Sequence, residues 1–486
     1  MPELLLALDA GTTGVRALVI DAAGAVLGTD KQGIATHFPG PGRVEQDAAA
    51  VWKGCLQVID GALAAAGRRV ADLAAVGVTT QRASVVLWDR VTGEPVAPML
   101  VWSDLSGMDR HRELRDADFI SWPQAPLAKL PTAIAAATES GARARAGELC
   151  WGTLDSYLVS RLSAGAAHVT DLSCAWMTGY LNYAVGRGWN DALLAHQALP
   201  LGLFPTIVDS WGAIATTAVS EFGAAVPIRA VMADQQAGMI AHGALAKGAW
   251  KTTYGTSAVL MAATGAEPMM PHRSMPAEAL TSVGGGTRYC LEGMVITAGS
   301  LVDWMSDPLG LFASPTAMEA AARSVADTGG AHVRPSLQGL GAPHGRFDAR
   351  GLIAGLGLGT TSAHIARAAL AGIAFRIREI ADVVAAVPGL PVPELLPVDG
   401  GMTTNTLLLQ LQADALGRPV RRHAVYEATA YGVALAAGLG AGLVAETDLR
   451  ELARYDAEFE PAISRDEADA AFACWRAATQ VSARAL

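Results

Sequence analysis

The chain has 486 residues, 51% hydrophobic and 17% charged, which is too long for one ordinary core and too apolar for disorder, so two domains are expected. Its 36 Lys and Arg against 46 Asp and Glu leave a formal charge of −10, a balance that repels phosphate backbones and argues against nucleic acid as a partner. Five scattered cysteines, Cys55, Cys150, Cys174, Cys290 and Cys474, form no Cys-x-x-Cys pair and read as reduced, buried thiols of a cytoplasmic protein.

The opening MPELLLALDAG has neither a basic n-region nor a long apolar core, so no signal peptide is expected. Leu4 to Leu8 predicts a strand ending at Asp9, followed by the turn Ala10 to Gly14, a second strand Val15 to Ile20 and the start of a third at Val26. Trp52 to Ala66 predicts an amphipathic helix closed by Gly67. Val76 to Thr80 and Val85 to Asp89 predict further strands, and this alternation argues for α/β architecture. Ala233 to Leu245 predicts a helix, with a hinge at Gly243 to Gly248 over which two domains, 1–243 and 244–486, would close.

In mid-chain the opening pattern returns: strand Trp250 to Tyr254, turn Gly255-Thr256-Ser257, strand Ala258 to Met261. It divides the chain into comparable halves. Thr361 to Val387 predicts a long helix with Arg376, Arg378 and Glu379 on its polar side. Thr404 to Leu416 predicts another, with a hydroxyl cap and a stop at Gly417. Ala428 to Ala445 is free of charges and close to the ~18–20 residues of a membrane span, but its glycines and alanines suit a close-packed buried helix, so no span is expected.

Three small-residue turns stand out: D-A-G-T-T-G at 9–14, Y-G-T-S at 254–257 and D-G-G-M-T-T-N at 399–405. Each follows an apolar strand, and backbone N–H groups in such turns can approach phosphate oxygens. No Gly-Lys dipeptide occurs, which excludes a Walker A loop. Asp9 reads either as a cap on its turn or as a carboxylate facing magnesium through water. Asp234 reads either as a helix N-cap or as a base taking a proton from an attacking hydroxyl. The ten histidines show no H-x-x-x-H or H-E-x-x-H spacing, so no zinc site is expected.

LDAGTTGVRALV, VTTQR at 78–82, VWSD at 101–104, ADQQAG, KTTYGTS, GLGAPHGRFDARG and VDGGMTTNTLLLQLQADALGRPV occur in an order and spacing that resembles the FGGY carbohydrate kinases, glycerol kinases most of all. The resemblance covers nearly the whole chain. It implies two actin-like ATPase (ribonuclease H-like) domains about a central cleft, and ATP- and Mg2+-dependent phosphorylation of a small sugar or polyol. It implies phosphate contacts at Thr12, Thr13, Gly14, Arg16 and Thr256, and nucleotide contacts at Gly299, Asp303, Gly401 and Asn405, with Asp303 replacing the usual Gln. It makes Asp234 the general base, Gln235 its substrate-binding neighbour and Asp9 the metal-side carboxylate, with Arg82 and Trp102 lining the acceptor side. The departures lie on that acceptor side. Ala83 stands where glycerol kinases carry Glu, the W-Q-D-x-R element appears as Trp102-Ser103-Asp104-Leu105-Ser106, and Gln124 aligns with a substrate-contacting Tyr. These changes point to an acceptor larger than glycerol that meets Ser103, Asp104 and Gln124. Glycerol phosphorylation and a nucleotide-gated ATPase or interaction module of the same fold are the alternatives. Assembly as a homodimer or homotetramer is left open.

Overall fold

The computed structural model describes residues 3–136, 140–272 and 274–480. The chain divides into two compact units. The first runs to Gly243 and is completed by Ala279–Thr287 and Thr429–Leu452; the second comprises Ala244–Glu278, Arg288–Ala428 and the chain from Ala453. The chain therefore crosses between units several times rather than once.

Six strands of the first unit form one sheet: β1 (Leu4–Ala10), β2 (Gly14–Asp21), β3 (Val26–Gly33), β4 (Leu73–Thr80), β5 (Trp211–Thr216) and β6 (Pro227–Ala233). Their order is β5-β6-β4-β1-β2-β3. β1, β2 and β3 form an antiparallel meander, β4 and β6 run parallel to β1, and β5 closes the edge antiparallel. In the second unit β7 (Trp250–Tyr254), β8 (Ala258–Gly265), β9 (Gly286–Val295), β10 (Leu396–Asp399), β11 (Val420–His423) and β12 (Tyr455–Phe459) follow the order β9-β8-β7-β10-β11-β12. Here too the central hairpin is antiparallel, the next two strands are parallel to it, and the last is antiparallel. The internal repeat read from two short turns thus extends to six strands in matching order and direction.

Apolar strands explain the layers. β1 is buried along its whole length, and its core partners include Val51, Cys55 and Val58 of helix α1 (Ala48–Ala66). α1 starts four residues before the expected Trp52 because Asp47 caps it, its carboxylate accepting from Ala49 N at 2.9 Å. Among the other helices of the first unit, two bear on the site: α2 (Leu172–Trp176) and α3 (Asp234–Ala241). α3 is shorter than expected and stops before Gly243, which is left-handed at φ 59°.

The second unit contains α4 (Gly299–Ser306), α5 (Ser362–Ala385) and α6 (Thr406–Leu416). α5 buries Leu370, Ile373, Ile377 and Ile380 in the core. It also buries Arg376 and Arg378, so the expected polar side is not solvent-facing. Arg376 pairs with Glu379 and donates to Ala342 O at 2.6 Å; Arg378 lies over Phe472 and pairs with Asp469. A guanidinium so partnered can leave water. The expected hydroxyl cap on α6 is instead Asn405, whose Oδ1 accepts from Leu408 N at 2.9 Å.

Helix α7 (Ala428–Ala441) begins at the change of units and enters the first. There, a Cβ on Gly432 would fall 1.8 Å from Ala237 O, and one on Gly77 2.4 Å from Val433 O. The charge-free segment is therefore a close-packed helix pressed against α3 and β4. Among the described residues no helix is long and apolar enough to cross a membrane.

Candidate active site

In the first unit, the sheet register places Ala10, Thr80 and Ala233 on adjacent strands, at the C-terminal ends of β1, β4 and β6. Three turns leave the sheet there: Gly11–Gly14, Gln81–Ser84 and the start of α3. Ligands of open α/β sheets gather at such strand ends. Asp234 is the first residue of α3, not its cap: Ala233 has the extended cap conformation, and Asp234 Oδ1 accepts from Gln235 N at 2.7 Å. Arg82 Nε lies 3.8 Å from the same Oδ1, with side-chain exposures of 12% for Arg82 and 27% for Asp234, so the pair is loose and accessible. Gln235 is half-buried beside it.

Asp9 is 1% exposed and faces Arg16 across the β1–β2 ladder, with Arg16 Nη1 3.2 Å from Asp9 Oδ2. The turn after Asp9 is closed by Gly11 N donating to Gly14 O at 3.0 Å. Thr13 is exposed at its tip. Thr12 is committed elsewhere. Its hydroxyl donates to Gln81 Oε1 at 3.2 Å and accepts from Trp102 Nε1 at 2.9 Å. Gln81 Nε2 in turn donates to Gln46 Oε1 at 3.2 Å, and Gln46 Nε2 to Thr12 O at 2.7 Å and Thr36 Oγ1 at 2.9 Å. A hydroxyl has one proton to give. The Thr12 hydroxyl thus ties the turn after Asp9 to Trp102.

On the acceptor side Asp104 is fully buried. Its carboxylate accepts from Val44 N at 2.7 Å, from Ser106 N at 2.9 Å and from Ser106 Oγ. It shapes its loop and does not present its carboxylate outward, contrary to expectation. Ser103 and Gln124 remain half-buried. Ala83 is 5% exposed and left-handed at φ 57°, a conformation uncommon for a residue with a Cβ. Its carbonyl and that of Val101 accept from the buried Lys129 Nζ at 3.0 and 2.8 Å. Burial pulls this amine down to about 7, with the charge of Asp104 acting the other way. One lysine thus holds both the residue after Arg82 and the residue before Trp102.

In the second unit the turns at 254–257, 298–300 and 400–402 converge. Thr256 O accepts from Ala298 N, Ser300 N and Ser300 Oγ, each at 3.1 Å, and Gly255 O accepts from Gly299 N at 3.0 Å. A Cβ on Gly299 would meet Gly255 O at 2.5 Å and the Met402 side-chain Sδ at 3.0 Å, so only glycine lets this turn lie against the Gly255 backbone. Thr256, Asp303 and Gly401 are exposed around this junction. Asn405, half-buried, has its side-chain oxygen committed to capping α6. Buried Asp399 ends β10, and Thr253 Oγ1 donates to it at 2.7 Å while accepting from Lys251 Nζ at 2.5 Å.

Sequence reasoning missed Gln46, Gln81, Lys251 and the splinting role of Lys129. Gln81 and Lys251 lie inside quoted motifs, but single polar residues in strands and at their ends give no periodic signal; Gln46 and the helical Lys129 have no local signature.

A carboxylate–guanidinium pair at parallel strand ends, and Gly/Thr turns that recur on two repeated sheets, are groups that phosphoryl transfer to an alcohol can use. The comparisons specify the family. Residues 4–241 match the N-terminal domain, and residues 250–441 the C-terminal domain, of the FGGY family of carbohydrate kinases. The chain belongs to that family. It is 42% identical over 98% of both chains to a glycerol kinase of Aromatoleum aromaticum, and 40% identical over 98% of both to one of Alkalilimnicola ehrlichii. Among solved structures it is similar to Plasmodium falciparum glycerol kinase with ADP, at TM-score 0.88 and 23% identity over 100% of this chain and 99% of that one. It is also similar to a xylulose kinase from Brucella ovis, at TM-score 0.83 and 25% identity over 98% and 97%. The chain is an ATP-dependent kinase that phosphorylates a hydroxyl of a small sugar or polyol.

Proposed function

We propose that Asp234 is the general base of this kinase and that its acceptor is a polyol or ketose of four or five carbons. The Arg82–Asp234 pair at the strand ends carries the reading. In the proposed reaction the acceptor oxygen attacks the γ-phosphorus as its proton passes to Asp234. The bond to the bridging oxygen breaks, and ADP leaves. Arg82 and Gln235 orient hydroxyls, and Trp102 supplies an apolar wall. In this reading residues 1–243 supply the acceptor side and first phosphate turn, and 244–486 the nucleotide side.

Thr13, Gly14 and Arg16 would meet phosphate oxygens, and so would Thr256. Gly299, Asp303, Gly401 and the helix start at Asn405 would take the nucleoside. Among the described residues no group of three or more His, Cys, Asp or Glu forms a metal cage. Mg2+ with phosphate ligands and water needs only one or two carboxylates. The buried Asp9 beside the phosphate turn fits that role, and Mg2+ held there would neutralise charge on the transferring phosphate. ATP supply places such an enzyme in the cytoplasm.

The acceptor assignment rests on chemistry at the pocket wall. With Ala at 83 and Asp104 turned into its loop, neither position offers a carboxylate to glycerol hydroxyls. Ser103 and Gln124 offer neutral donors and acceptors suited to additional hydroxyls. Solved neighbours that include glycerol and xylulose kinases span this range of acceptor sizes. Glycerol itself is the second reading, favoured by the names of the relatives at 40–42% identity. ATP-dependent turnover on glycerol, tetritols, pentitols and pentuloses decides between them; a higher kcat/KM for glycerol than for every larger acceptor overturns the size assignment. Asp234→Asn should lower kcat by at least ~10²-fold with ATP affinity retained. A variant keeping most of its turnover removes Asp234 from the mechanism.

A further inference from the structure

We propose that Asp171, acting through Ser173, is a positioning residue that sets the backbone from which Asp234 projects. This rests on the reading of Asp234 as the base. Asp171, Ser173, Ser210 and Ala233 are all fully buried. Asp171 ends a short strand and caps the five-residue helix α2, accepting from Cys174 N at 2.9 Å. Its carboxylate also accepts from Ser173 Oγ, 2.8 and 2.9 Å from the two oxygens, and from Ser210 Oγ at 2.8 Å. With its proton committed to Asp171, Ser173 Oγ has lone pairs to offer, and Ala233 N donates to it at 3.0 Å.

Ala233 is the last residue of β6 and the cap of α3, one peptide bond from Asp234. Its N–H is thus held by a side chain from another element. The same carboxylate anchors the neighbouring segment, because Ser210 Oγ accepts from Ser282 N at 3.0 Å and Ser210 O accepts from Val231 N at 3.0 Å. Three donors on one buried carboxylate make a stiff hub at the end of β6. Burial alone lifts this carboxyl above its usual range, and the converging donors oppose that shift. A buried acid with no contact to the reacting groups is an expensive way to end a strand unless its placement matters.

A second buried acid supplies the control. Asp155 is also fully buried and accepts from Thr153 Oγ1 and, at 2.7 Å, from Thr170 Oγ1, but neither hydroxyl bonds to Ser173 or Ala233. The test measures kcat, acceptor KM, ATP KM and thermal midpoint for Asp171→Asn, Ser173→Ala, Ser173→Thr and Asp155→Asn. It also measures Ser173→Ala combined with Asp234→Asn. Misplacing a reacting group by about an ångström can cost on the order of 10²-fold. Ser173→Ala and Asp171→Asn should therefore lower kcat by roughly 10- to 10²-fold with ATP KM unchanged. Ser173→Thr should restore most of it, and Asp155→Asn should lose stability without that loss of kcat. In the Asp234→Asn background Ser173→Ala should add almost nothing, because the group it positions is gone.

If Asp171→Asn does not fold, Ser173→Ala carries the test, since it removes one hydroxyl only. Turnover within about 2-fold of wild type for Ser173→Ala, with Asp234→Asn inactive, overturns the positioning role. So does a fall in Asp155→Asn equal to that in Asp171→Asn. An active Asp234→Asn overturns the base assignment itself and is distinguishable from either result.

Discussion

Lys129→Met isolates the splint behind the acceptor wall. Methionine fills much of the stem's volume but cannot donate, so the carbonyls of Ala83 and Val101 lose the contacts they receive at 3.0 and 2.8 Å. Val101 O keeps the Asp104 N–H at 3.0 Å, so the carbonyl left unsatisfied is that of Ala83, at a cost of about 1–3 kcal/mol. The amine itself makes stability depend on pH. Its native value is about 7, below the 10.5 of an unperturbed lysine, chiefly because burial disfavours the charged form. Between these values the unfolded chain binds the proton more tightly than the native protein does. Stability therefore rises with pH through this window and is flat in this group below it. From pH 7 to pH 9 the gain from this one group is about 2 kcal/mol. Urea unfolding of wild type and Lys129→Met at both pH values, followed by tryptophan fluorescence, reads the difference. Wild type should gain about 2 kcal/mol more than the variant. In parallel, the variant's acceptor KM should rise while its ATP KM stays put, because Arg82 and Trp102 flank the two released carbonyls. Unfolding curves that shift equally in both proteins, to within about 0.5 kcal/mol, refute the reasoning that the ammonium is desolvated in the native state.

Thr12→Val and Thr13→Val should separate, although the residues are adjacent. The first leaves Trp102 Nε1 and Gln81 Oε1 without the hydroxyl they share, a loss of about 1–3 kcal/mol that two-substrate kinetics should show in acceptor KM; the second should change ATP KM alone. Gly432→Ala places a Cβ 1.8 Å from Ala237 O, a backbone atom that no rotamer change can move, so α3 must shift. Overpacking of this kind costs typically 1–3 kcal/mol or more, and both the thermal midpoint and kcat should fall. Of the cysteines, Cys474 is exposed while Cys55, Cys150, Cys174 and Cys290 are buried. Thiol titration of the native protein should count one fast-reacting group, lost in Cys474→Ser, and its modification should leave turnover intact.

The buried thiols, with the exception of Cys474, follow from hydrophobic neighbours that any window of the sequence displays. So do the strands around the first and second small-residue turns, because an apolar run closed by Gly and Thr has few other ways to fold. Motif order was enough to indicate the family, since the phosphate turns depend on local backbone chemistry that a few residues encode. The sequence also placed Asp234 at a strand-to-helix junction and Arg82 just beyond another strand. What it could not give was their meeting: 152 positions apart, they approach to 3.8 Å only because β4 and β6 pair in parallel with Thr80 opposite Ala233. The same holds for polar side chains whose role depends on distant partners. Thr12 reads as a phosphate contact and Asp104 as a substrate contact, and neither motif shows that the Thr12 hydroxyl meets Trp102 or that the Asp104 carboxylate meets Val44 N. Arg376 read as solvent-facing from its charge, yet a carboxylate and a carbonyl from the surrounding structure allowed its burial. Local pattern fixes where an element runs and which face is apolar. Which hydrogen-bonding group is left over for a ligand is settled only after every buried donor and acceptor has found its partner, and those partners come from far along the chain.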